Sequence, residues 1–275
     1  MALFTAACGL LLFGCRQWQS AEEKLPRMPA FRMRPNSIAL EIAIANIEPY
    51  GATQLASLWD ELDEQGISLE RRRLLDRNGL RCGIASNQMP AVFRELIDAN
   101  DPQRKLPPLF AHQQIQNGFG ESHNIEVTAA VEQLSWSAID ADERIRSGNC
   151  PNALCLFDLK TFPRGNGTVD LELVPKISHG APRAKLSSEN DTFTLQPVLD
   201  EVALGELAFG CRLKPGETLI VGPTERASGL GEIFLGRHSG DSGTVRLLLV
   251  RLARTQMDDL FAPQKLQSPL TTAEQ

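Results

Sequence analysis

At 275 residues the chain is long enough for one large or two modest domains with real cores, and its pattern fits two. A formal charge of −6, with 28 Lys and Arg scattered among 34 Asp and Glu, leaves no basic stripe and excludes an electrostatically driven nucleic-acid partner. Six cysteines and four histidines offer one close Cys pair and no second one, so neither a zinc site nor any other cofactor is expected.

Residues 1–13 carry no charge, and the apolar core Leu10-Leu11-Leu12-Phe13 is followed by Gly14-Cys15 and an abruptly polar sequence. A dozen apolar residues are too few to cross a bilayer as a helix, which takes about 20. The stretch resembles a bacterial lipoprotein signal, although Phe13 is bulkier than usual there and the basic leading residues are missing. In such signals a small residue precedes a cysteine that is acylated and becomes the new N-terminus. The resemblance implies that residues 1–15 are a signal peptide, that Cys15 is the lipidated residue, and that the mature chain faces the periplasm from the cell envelope. Arg16 stands where an aspartate would mark inner-membrane retention, which points to the outer membrane. Residues 16–36, with Pro26, Pro29 and Pro35 and mixed charge, read as a tether.

From residue 38 the pattern changes. Ile38, Leu40, Ile42 and Ile44 alternate with Ala39, Glu41, Ala43 and Ala45, which is the period of a strand with one bulky and one small face. After a turn at Pro49-Tyr50-Gly51, Leu55, Leu58, Trp59 and Leu62 recur at helical spacing up to Gly66. Ser68 caps a shorter helix through Leu74 and Leu75, and Asn78-Gly79 stops it. Residues 80–85 predict a strand, and Pro90 opens a helix with Val92, Phe93, Leu96 and Ile97 on one stripe. These elements predict a small N-terminal α/β module over residues 37–104, bounded by the Pro- and charge-rich stretch 101–108.

Beyond it, residues 105–256 predict a mainly antiparallel β-domain, so the fold class is α+β. Strands are expected at 124–131 and 133–139, paired around Glu132, and at 154–160 and 168–174, joined through Asn166-Gly167. Residues 179–191 read as a polar, mobile connection to a strand at 192–198. Three further strands, 207–213, 218–222 and 244–252, are punctuated by glycines. In Lys214-Pro215-Gly216-Glu217, Pro215 supplies a fixed negative φ and Gly216 a permissive one, which predicts a hairpin between the first two; Gly222 reads as the turn closing the second. Residues 257–275 form a polar tail, expected to be disordered.

The collinear order Gly216-Glu217-Thr218-Leu219-Ile220-Val221-Gly222, then Leu230-Gly231-Glu232-Ile233-Phe234, then the Leu-rich run from Arg246 to Leu252, resembles the end of the secretin core domain of secretion and pilus channels. Upstream, the stretch from Gly167 to Ile177 resembles that family's amphipathic strand, so the likeness spans roughly residues 165–254. Pro223 follows Gly222 where the family has a second glycine, and the block of its membrane and lip hairpins is missing. The resemblance implies a structural or assembly component of an envelope complex, not an enzyme, with protein partners or further copies of itself and pairing through residues 207–222 and 244–252. A stand-alone periplasmic binding module is the alternative reading.

Other side chains are weighed as chemistry. If the signal is removed, Cys82, Cys150, Cys155 and Cys211 remain, an even number that suits an oxidising compartment; Cys150 and Cys155 are spaced to close a small disulfide loop, with the pairing left open. Gly240-Asp241-Ser242-Gly243 looks like a serine-protease nucleophile segment, but no histidine sits in the setting that family uses, and Gly, Asp and Ser are ordinary turn residues. A hydrolase using Ser242 is the remote alternative. His112, His123, His179 and His238 read as isolated imidazoles, Asp60, Glu61, Asp63 and Glu64 as a solvated helix face, and Arg71-Arg72-Arg73 as solubility or a contact for an acidic partner.

Overall fold

The computed structural model describes residues 37–47, 52–88, 109–189, 192–224, 228–236 and 245–256. The eleven strands are β1 (Ser37–Ile47), β2 (Leu80–Ala85), β3 (Leu109–Asn117), β4 (Ser122–Glu126), β5 (Val131–Ile139), β6 (Ile145–Pro163), β7 (Val169–Glu189), β8 (Thr192–Ala203), β9 (Phe209–Leu213), β10 (Thr218–Pro223) and β11 (Val245–Gln256). Among the described residues three α-helices join them: α1 (Ala52–Asp60), α2 (Leu69–Arg77) and α3 (Gly229–Leu235). Every described strand pair is antiparallel.

One sheet has the order β2-β10-β11-β1-β3, and the other the order β4-β6-β7-β8, with β5 also paired to β6 and β9 to β7. Their facing sides share one core. Ile38, Leu40, Ile42 and Ile44 of β1 and Leu248, Val250 and Leu252 of β11 meet Phe157 and Leu159 of β6 and Leu171 and Leu173 of β7. The bulky face of β1 thus points between the sheets, while Ala45 on the small face lies with Leu247, Leu249 and Ile220 under Leu58, Trp59 and Leu62 of the α1 region. Small side chains on that face let the helix approach the sheet, and each fully buried Leu there contributes about 1.5–3 kcal/mol. Leu74 and Leu75 of α2 and Leu230, Phe234 and Leu235 of α3 complete the core between the sheets, with the Phe234 ring 5.4 Å from Phe157.

The chain is mainly antiparallel β, but residues 37–85 do not form a module of their own. β1 is hydrogen-bonded along its length to β11, and β2 to β10, so strands from both ends of the described chain build one sheet. All of them belong to a single compact unit, Met33–Gln275, with no division near residue 105. Strand-helix-helix-strand is a local pattern, whereas the partner of β1 is chosen by burial of its apolar face, and the complementary Leu-rich face lies some 200 residues away on β11.

Three local expectations also change. No hairpin forms around Glu132: β4 and β5 each pair with the 19-residue β6, and the turn lies instead at 140–144, where the Asp140 carboxylate accepts the Asp142 and Arg144 amides. Residues 179–189 are the outer part of β7, paired with β8 out to Glu189 and Thr192, because a two-stranded ribbon satisfies its backbone without an apolar alternation. The Lys214-Gly216 turn is no hairpin either, since β9 pairs with β7 and β10 with β2 and β11; the turn carries the chain from one sheet to the other. The expected helix at 90–97, the linker 101–108, the tether and the tail lie outside the described residues.

Candidate functional site

Among the described residues, β3 is the edge of the first sheet and β4 the edge of the second, on the open side of the two-sheet stack. They leave a cleft of about 590 Å³. This lies within the 300–1,000 Å³ range of ordinary ligand sites. Its floor is Ile42, Ile44 and Ile125, each at most 2 % exposed and continuous with the core. Its rim is polar, with His112 and Gln113 from β3, His123, Asn124 and Glu126 from the β4 segment, and Thr128 beyond.

Each wall follows from strand alternation. Ile125 turns inward while Asn124 and Glu126 face out, and the loop between the walls is held by the Gly120 amide donating to Thr161 O at 2.7 Å and by Thr161 Oγ1 donating to Gly118 O at 2.9 Å. The Gln113 carboxamide donates to His123 Nε2 across 3.0 Å, bridging the walls. A ring accepting that bond is neutral, and burial holds the His123 pKa below the usual histidine value. Thr128 Oγ1 accepts the Cys155 amide at 2.9 Å, and the Arg246 guanidinium donates to Val127 O at 3.2 Å. The cleft is therefore a groove with an apolar base, a hydrogen-bonding rim and one carboxylate, Glu126.

A second hollow of about 270 Å³ is lined by Arg72, Arg73, Arg81, Glu64, Asp76 and the buried Cys82. Its charges are largely matched: Glu64 takes Arg81 Nε at 2.5 Å and Arg72 Nη1 at 3.7 Å. The expected basic run is split, since Arg71 reaches back to Glu206 O at 2.6 Å. The acidic cluster is split too, with Glu64 in that network and Asp63 Oδ1 accepting the Gln65 amide at 2.8 Å.

The remaining sequence-predicted residues fall elsewhere. Gly216 sits in the turn between the sheets with φ +90°, and Pro215 precedes it. Gly222 is no turn residue: it lies inside β10, beneath the Trp59 ring. Cys150 and Cys155 are carried on the single strand β6, and both are free, buried thiols, as are Cys82 and Cys211. Burial pushes the Cys155 and Cys211 thiols up to about 12 and raises Cys82 as well, so none of these three is a thiolate near neutrality. Cys15, His238 and Ser242 lie outside the described residues, and His179 is on β7, away from the cleft lining.

The cleft was not legible beforehand. His112 and His123 are eleven positions apart on different sheets, and no short-range spacing joins them. Among the described residues, no group of three or more His, Cys, Asp or Glu could hold a metal ion, and no helix is long and apolar enough to cross a membrane. No protein-family model matches the chain, and no curated protein or solved structure matches it.

Proposed function

We propose that this chain is a non-enzymatic component of the bacterial cell envelope, anchored in the outer membrane by acyl chains on Cys15, that works by holding a partner rather than by transforming a substrate. The observation that carries this reading is the cleft between β3 and β4. Its apolar floor reaches the core and its rim presents hydrogen-bonding side chains and the Glu126 carboxylate, which suits retention of a partly apolar ligand. The lipobox-like Leu12-Phe13-Gly14-Cys15 supports the anchor. Burial of the thiols and the neutral, amide-bonded His123 favour a structural and recognition role for these groups.

A second reading, a secretin-like component of a secretion or pilus assembly, is supported by the β7–β8 ribbon, which continues from Arg183–Val198 to Glu189–Thr192 beyond the register shift at His179. In that reading the ribbon and β9, which among the described residues pairs with β7 alone, would meet neighbouring subunits, and not residues 218–222 and 245–252. β10 and β11 are flanked on both sides within their sheet, so they have no edge left for a partner.

The test is the mass and detergent-solubilised size of the full chain made in a bacterial host, beside Cys15→Ala. An acyl mass present only in the parent, on a particle of one copy, is expected. A ring-sized particle would transfer the function to the assembly reading. An unacylated parent would overturn the anchor.

A further inference from the structure

The backbone of β4 carries more information than the cleft's side chains. The Val127 amide donates to Cys155 O at 3.0 Å, and Ile125 and Val127 share a side of the strand, so both direct their backbone groups at β6. Asn124 and Glu126 alternate with them and direct their N–H and C=O groups the other way, into the cleft they line. Among the described residues no strand pairs with that side of β4. An edge with alternate donors and acceptors at this spacing is complementary to an extended main chain.

We propose that the β4 edge binds an extended peptide segment of a second protein by strand addition, closing the open side of the two-sheet stack. This deepens the reading of the cleft as a binding site and rests on it. Main-chain bonds would form at Asn124 and Glu126, and alternate apolar side chains of the segment would rest on Ile42, Ile44 and Ile125. Charge selects the occupant. The cleft is lined by Glu126 and by no Lys or Arg, in a chain of net charge −6, so a segment with a basic residue facing Glu126 is favoured, whereas two copies of this edge would bring like charges together.

The experiment is selection of random twelve-residue peptides displayed on phage against the full-length, detergent-solubilised chain, followed by affinity measurements on the enriched sequences. The expected peptides alternate apolar and polar residues, carry Lys or Arg, and lose roughly tenfold in affinity when alternate amides are N-methylated in one register but not in the other. Glu126→Pro removes an outward N–H without touching the β6 ladder, so it should fold and bind roughly tenfold more weakly. Glu126→Lys, which leaves the backbone intact, should disfavour the basic peptides.

The proposal is overturned by an absence of enrichment, by peptides indifferent to N-methylation, or by equal binding to parent and both variants. It is overturned in favour of the chain's own tail if peptides enrich only after residues 257–275 are deleted. It is overturned in favour of self-association if the selected sequences copy β4 and the chain dimerises. Repeating the measurement with Cys15→Ala separates this result from the anchor: peptide binding without acylation leaves the strand-addition site standing, and acylation without peptide binding leaves the anchor alone.

Discussion

A methyl group placed on Gly222 would stand 2.5 Å from Leu247 Cδ2 and 2.9 Å from Trp59 Cζ2, and neither neighbour has room to retreat, since Leu247 is fully buried and Trp59 nearly so. The glycine is there so that a tryptophan can lie flat on the sheet, with the Arg81 guanidinium 5.0 Å above the ring. Gly222→Ala should cost about 1–3 kcal/mol in urea denaturation, and much of that should return in a Gly222→Ala, Trp59→Leu double variant. Additive losses would show that the two positions do not compete for space. Asp158, 4 % exposed, takes Lys176 Nζ at 2.8 Å and the Ser122 hydroxyl. Burial raises the carboxyl's pKa, but the hydrogen bonds from Lys176 and Ser122 and the charges of Lys176 and Lys160 outweigh it and hold it below 3.8. A folded-state pKa below the unfolded one contributes stability at neutral pH that is lost as pH falls through the folded value. Asp158→Asn should therefore lower stability by about 3 kcal/mol at pH 7 and flatten the acid limb below pH ~4. An unchanged acid limb would mean that other carboxylates set it.

Among the elements, the β9–β10 connection shows how a turn signal and a pairing signal separate. Glu217 N–H bonds to Lys214 O at 3.0 Å, closing the turn, while Gly216 N–H reaches Leu252 O at 2.7 Å and Leu252 N–H reaches Glu217 O at 3.1 Å. The turn is thus fastened to β11, not to a β9–β10 ladder. At φ +90° a β-branched side chain is strained, so Gly216→Val should cost roughly 1–2 kcal/mol or more, and Gly216→Asn, which tolerates that region better, distinctly less. Calorimetric melting of the two variants checks the order. Equal losses would place the cost in the close approach to Asn87 Oδ1, 2.2 Å from where the new carbon would lie, rather than in the backbone.

For the molecule as a whole, the β1–β11 and β2–β10 ladders make residues 37–85 indispensable. A fragment of residues 105–256 would lack both partners that enclose β10 and β11, and should show neither near-ultraviolet circular dichroism nor dispersed amide resonances, whereas the full chain should unfold in one transition. A folded fragment would restore the boundary near residue 105. The thiols report on the same cooperativity. Cys82 lies in the first sheet and Cys155 and Cys211 in the second, all buried with raised pKa, so a thiol reagent at pH 8 should modify them only at the rate of global unfolding. Rapid modification of one alone would reveal a locally opening edge.

Much of this molecule was written at short range. The two-residue period of β1, the Ser68 cap and Asn78-Gly79 stop of α2, the β6–β7 hairpin around Asn166-Gly167 and the Pro215-Gly216 turn all rest on neighbours a few positions apart, and periodicity or turn chemistry registers them. What pairs with what was not legible, because a strand's partner is selected by shape and burial over any separation. β1 finds β11, and β4 and β5 take β6 instead of each other. Asn78 is another case: its side chain closes α2 at Leu74 O, then crosses to both backbone groups of Ile139, a bond no local pattern announces. The cleft belongs to the same class. Its floor comes from β1 and β4, its rim from β3 and β4, and it exists because the two sheets end side by side with no described strand paired to these edges. Local interactions dictated the segments of this chain, and nonlocal packing dictated the sheets they enter and the site those sheets leave open.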